Sequence, residues 1–144
     1  MQPKLRTLAI PMPRRSQLQA LLARLGHTPN LALSIYVVDN NITETPDPSS
    51  PIVGQLQGLY VIAALDGLDS YVTTSIMFTN KQYNRSTIQL QGTRFIKQPV
   101  GEVAVVGGTG KFRFARGYAT AGTYSLDVTT QYAVIQCNVT VQLS

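Results

Sequence analysis

Two side chains in this sequence are placed to do chemistry: Asp39, at the polar end of one apolar stretch, and Tyr60, inside another. Asp39 keeps the parity of Leu33, Ile35 and Val37, so a strand through these residues would aim its carboxylate into an apolar interior. Loss of water there raises a carboxyl pKa and lets the group donate a proton near neutral pH. The commoner use of such a residue is an Asx turn, here opening the loop from Asn40 to Pro51, and the pattern alone leaves both readings open. Tyr60 poses a similar choice between a packed ring with a locally satisfied hydroxyl and a phenol that hydrogen-bonds a ligand. His27 lies among weakly patterned residues and reads as a surface side chain rather than a general base. Cys137 shares the apolar parity of Ala133, Ile135, Val139 and Val141 and reads as a buried small hydrophobe rather than a reactive thiol. One histidine and one cysteine make neither a disulfide nor a zinc or iron–sulfur site, so no metal and no cofactor is expected. Val105 to Phe112 has the glycines of a phosphate loop, but that loop needs glycine where Val105 stands and Ser or Thr where Phe112 stands. Its glycines are instead expected to form a tight hairpin at Gly107 to Gly110.

The elements that would position these residues follow from composition and period. A chain of 144 residues, 44% hydrophobic and 13% charged, is one packed domain rather than a disordered tail. The net charge of +5 sits in residues 1–38, which hold Lys4, Arg6, Arg14, Arg15 and Arg24 and no acid; the remainder carries seven charges of each sign. A neutral body without interleaved basic and aromatic residues is a poor nucleic-acid partner. The longest apolar run, Leu59 to Leu65, falls far short of the roughly 20 residues of a bilayer-spanning helix, so no membrane partner is expected.

A boundary falls near residue 30. Residues 1–30 form an atypical basic extension, broken early by Pro3, Pro11 and Pro13, with residues 1–14 expected to be poorly ordered. Within it Leu18, Leu21, Leu22 and Leu25 predict a short amphipathic helix over 16–25. A transit peptide and a poorly ordered extension are both open readings. A secretory signal is not, because no apolar segment follows the first basic residues.

From residue 31 the period becomes two. Strands are expected at 31–39, 52–65, 70–79, 87–91, 103–106, 111–123 and 127–142, separated by turn residues, which makes the body all-β, a barrel or a sandwich of seven or eight strands. In 59–65 both parities are apolar, so both faces must be covered, the outer one most simply by another subunit.

Val105 to Ala119, Gln57 to Val61 and Tyr83 to Thr87 together resemble the plant dirigent family, over about residues 31–143. The resemblance implies an eight-stranded antiparallel β-barrel over 31–144, a homotrimer, and a secreted, apoplastic glycoprotein with sequons at Asn41, Asn84 and Asn138. It implies a non-oxidising auxiliary protein in lignan biosynthesis. A laccase or peroxidase makes phenoxy radicals from monolignols such as coniferyl alcohol, and the barrel directs the stereochemistry of their coupling, or of quinone methide ring closure. By position, Asp39 and Tyr60 would be the catalytic pair, with Ile62, Phe78 and Arg94 lining the substrate site.

The resemblance also exposes departures. Val38 stands for the family's histidine, Ile62 for a second tyrosine, Arg94 for a pocket aspartate and Gly101 for a pocket arginine; the family's cysteine pair and signal peptide are missing. These imply weak stereochemical bias with coniferyl alcohol itself. They keep a second reading open, a dirigent-type barrel acting as a small-ligand or defence-related binding module without coupling activity.

Overall fold

The structure, a computed structural model, describes residues 8–12, 34–47, 49–64, 69–95, 97–127, 129 and 132–143. The expected helix over 16–25 and His27 lie outside the described residues. The body is all-β and antiparallel, as expected. In chain order the strands are β1 (Leu8–Met12), β2 (Ile35–Thr43), β3 (Ile52–Ile62), β4 (Ser70–Phe78), β5 (Thr87–Arg94), β6 (Val100–Thr109), β7 (Arg116–Asp127) and β8 (Tyr132–Gln142). Strands β2 to β8 form a continuous curled meander. β1 closes it, pairing with β8 from Leu8 opposite Cys137 to Met12 opposite Ala133, and with β2 at Ala9 opposite Thr43. The body thus supplies seven strands and the extension an eighth, which corrects the expectation that residues 1–14 stay out of the fold. The physical reason is edge pairing: β2 and β8 each present a free row of backbone groups that β1 satisfies.

Side chains alternate between the lumen and the outside. Tyr36, Val38 and Ile42 of β2 are buried, whereas Val37, Asp39 and Asn41 between them are exposed. The same face continues through Ile76 and Phe78, Ile88 and Leu90, Val105, Ala119, and Cys137, Val139 and Val141. Each of the larger aliphatic or aromatic groups gains roughly 1.5–3 kcal/mol from leaving water.

One end of the lumen is plugged. Phe78, Tyr83 and Phe112 meet with ring centroids 5.0–5.3 Å apart, above Ile42, Ile76 and Ile88, all fully buried. Two turns seal this end over the aromatics, since the Lys111 N–H donates to Ser86 Oγ at 3.0 Å and Lys111 Nζ to the Gln82 carbonyl at 2.7 Å. The glycine segment differs from its expected hairpin. Gly107 and Gly108 remain in β6, and the reversal occurs at a 3₁₀ turn, Gly110–Phe112, where Gly110 takes φ +62°. β2 also runs four residues beyond Asp39, because Ile42 continues the buried parity. The Asx turn in the loop that follows is made by Asp47, whose carboxylate accepts the Ser49 N–H at 2.9 Å and Oγ–H at 2.8 Å. Those bonds, the backbone one first, lower the Asp47 pKa.

On the outside, Val37 lies opposite Leu59, Ile35 opposite Val61, and Val61 opposite Tyr71. Val37, Leu59 and Tyr71 are exposed, so three adjacent strands share one apolar patch.

Candidate functional site

The end of the lumen opposite the plug gathers most of the candidate side chains. Tyr36 and Tyr60 are register partners on β2 and β3, and their rings stack 4.8 Å apart at 11°. Such a pair contributes about 0.5–1.5 kcal/mol beyond burial, with Tyr36 buried and Tyr60 half-buried. One step toward the rim, Ile62, Ser70 and Arg94 stand side by side on β3, β4 and β5. Tyr60, Val72 and Gly92 form the row beneath them.

Across the barrel from the tyrosines the wall is built from small residues. Gly101 pairs with Ala121, and Ala121 with Cys137. Gly101 is buried under Arg94: a Cβ there would lie 2.3 Å from Arg94 Cδ and 2.5 Å from Nε. The lack of a side chain at 101 is what gives the Arg94 stem its place. The Arg94 guanidinium donates to the Phe95 carbonyl. Cys137 is 3% exposed, and burial pushes its thiol up to about 11, so it is protonated at neutral pH, as its reading as a small hydrophobe requires.

The expected site residues divide. Tyr60, Ile62 and Arg94 come together on β3 and β5 at the end opposite the plug. Asp39 does not join them: it is exposed, in mid-strand, and its Oδ1 accepts a 3.3 Å hydrogen bond from Gln57 Nε2 on the outer face. The parity expected for it is reversed, because the side chains that reach the core are Tyr36, Val38 and Ile42. Phe78 belongs to the plug, six residues of strand from the tyrosines' level and so about 20 Å away. Among the described residues, no carboxylate occupies a lumen-facing strand position. Asn41, Asn84 and Asn138 are all exposed, the first and last on strands and Asn84 in the turn after β4.

Tyr36 and the Gly101–Arg94 contact were not anticipated as site features. The period-two signal that would place Tyr36 inside is present, but it competes with an equally apolar opposite parity. Nothing in the sequence marks the nesting of Arg94 on Gly101.

This geometry has known counterparts. Residues 14–142 match the family described as dirigent-like protein, so the match begins well before the boundary expected near residue 30. The chain is 40% identical to dirigent protein 23 of Arabidopsis thaliana over 114 residues, covering 79% of this chain and 61% of that protein. It is 38% identical to pterocarpan synthase 1 of Glycine max over 107 residues, covering 74% and 58%. The chain therefore spans about three fifths of the length of these relatives. The solved structure of the pterocarpan synthase dirigent protein GePTS1 superposes with a TM-score of 0.81 at 29% identity, covering 98% of this chain and 87% of that one. A second pterocarpan synthase dirigent protein, PsPTS1, gives a TM-score of 0.77 at 26% identity, covering 98% and 96%. With this match across its length and the same curled antiparallel sheet, the chain belongs to the dirigent family.

Proposed function

We propose that this chain is a non-oxidising dirigent protein whose lumen takes up a phenolic radical or quinone methide and fixes the face on which its next bond forms. The observation that carries the reading is the end of the lumen opposite the aromatic plug, with the Tyr36–Tyr60 stack on one wall, Gly101, Ala121 and Cys137 on the other, and Arg94 in the last row. An aromatic wall and the polar groups of Ser70 and Arg94 in the last row suit a planar phenol. Control by orientation needs little energy, since about 1.4 kcal/mol between two diastereomeric approaches gives a tenfold bias. Relatives and neighbours named pterocarpan synthases support a phenolic ligand without selecting monolignol coupling over ring closure.

In this reading the chain's residues bind and orient. Tyr60, backed by the buried Tyr36, stacks on the aromatic ring, the aliphatic side chains exclude water, and Arg94 holds an oxygen of the ligand. Proton donation by Asp39 has no support in its outward position. The oxidant is external, a laccase or peroxidase. The apolar patch of Val37, Leu59, Val61 and Tyr71 supports assembly with further copies, a homotrimer in the proposed form, and secretion to the apoplast with glycans on Asn41, Asn84 and Asn138 belongs to the same proposal.

The test is chiral analysis of products formed when phenols are oxidised by added laccase with and without the protein. The expected result is an enantiomeric excess with the protein and no phenol consumption when laccase is left out. Racemic products from every phenol that binds would favour the alternative of a binding module without coupling activity. Oxidation by the protein alone would overturn the non-oxidising role.

A further inference from the structure

We infer that the lumen is specific for a phenol that carries a carboxylate, held by Arg94, over a neutral phenolic alcohol. This rests on the lumen being the ligand site proposed above. Arg94 occupies a lumen-facing register position, in line with Ile62 and Ser70. Its stem lies on Gly101, where a Cβ would approach Cδ to 2.3 Å and Cζ to 2.8 Å, so the glycine lets the side chain lie along the wall.

The guanidinium is also short of anions. It donates to the Phe95 carbonyl and has no ion pair with a carboxylate among the described residues. With five N–H donors in a planar fork, it retains an edge suited to two parallel bonds to one carboxylate. The acids nearest in sequence and register do not fill that place. Asp69 precedes β4 outside the strand, Glu102 is exposed beside Gly101, and Asp127 at the end of β7 is exposed and accepts the Thr129 N–H at 2.9 Å. A half-buried cation gains from an anionic partner that is itself shielded from water.

The spacing suits one small molecule. β3 and β5 are two strand spacings apart, about 10 Å. That is comparable with the whole length of a hydroxycinnamate, from its phenol oxygen to its carboxylate. The phenol end would lie by Tyr60 and the carboxylate at Arg94.

The experiment compares 4-hydroxy-3-methoxycinnamate with its methyl ester, which keeps the ring and removes the charge, by calorimetric titration of the full chain at neutral pH. The acid should bind about tenfold tighter or more, with an advantage that shrinks as salt is raised. In Arg94→Gln the acid-to-ester ratio should fall to near one, and in Arg94→Lys, which keeps the charge but not the planar fork, it should lie between. Equal affinities in the unmodified protein, or a preference that survives Arg94→Gln, would overturn the inference while leaving the lumen as a phenol site. Failure of both compounds to bind the unmodified protein would overturn the lumen reading and this inference with it.

Discussion

Replacing Asp39 by asparagine separates the position of this carboxylate from the role its sequence suggests. In the structure Asp39 is exposed on the outer face of β2, and its 3.3 Å bond from Gln57 Nε2 can be accepted equally by an amide oxygen. An exposed, long hydrogen bond retained in the variant leaves little to lose, so Asp39→Asn should change stability by less than about 0.5 kcal/mol. Directed product should fall by less than about twofold. Tyr60→Leu removes one ring of a stack 4.8 Å apart at 11° and keeps an apolar side chain of moderate size. The lost ring pairing is worth about 0.5–1.5 kcal/mol. If the ligand stacks on the same ring, a comparable loss applies to its held orientation, roughly two- to tenfold in directed product. Both variants would be assayed by chiral chromatography of the laccase-initiated product and by urea unfolding, so that instability is not read as lost direction. A tenfold loss in Asp39→Asn at unchanged stability, with Tyr60→Leu nearly intact, would refute the reasoning. It would mean that β2 works in a register that turns the carboxylate inward.

Burial of Cys137 makes stability sensitive to alkaline pH. The folded thiol titrates at about 11 against an ordinary 9.0, so the unfolded chain releases its proton first and stability falls as pH rises from 9 to about 11. The loss is about 2–3 kcal/mol, visible as the difference between the unmodified protein and Cys137→Ala in unfolding measured across that range. Phe78→Ala should destabilise by about 3–5 kcal/mol in the same assay, because it empties the plug between Tyr83 and Phe112. Leu59→Lys places a charge in the outer apolar patch and should convert the proposed trimer to monomers in sedimentation velocity without changing the circular dichroism of the sheet. A trimer persisting in that variant would place the interface on another face.

The sequence by itself determined the class of this protein. Period-two runs broken by Gly, Asn and Asp specify an all-β body, and the stretch from Val105 to Ala119 specifies the family, because both are local properties of adjacent residues. Tyr60, Ile62 and Arg94 entered as candidates through the family resemblance, since both parities of 59–65 are apolar and Arg94 lies beyond the expected strand 87–91; their common place at one end of the barrel follows from strand pairing. Parity in β2 was beyond the sequence. Ile35 and Val37 on one side and Tyr36 and Val38 on the other are equally apolar, so nothing local chooses the buried face. The choice falls to Ile42 and Tyr36, which pack against other strands, and it turns Asp39 outward. Phe78 was misassigned for a related reason. A lumen-facing residue lines a cavity or plugs it according to what meets it from distant turns, here Tyr83 and Phe112. The eighth strand depended on an unpaired sheet edge that exists only after β2 and β8 have come together. The nesting of Arg94 on Gly101 joins two positions on neighbouring strands across an intervening loop, and only their packing in three dimensions sets the guanidinium at the rim.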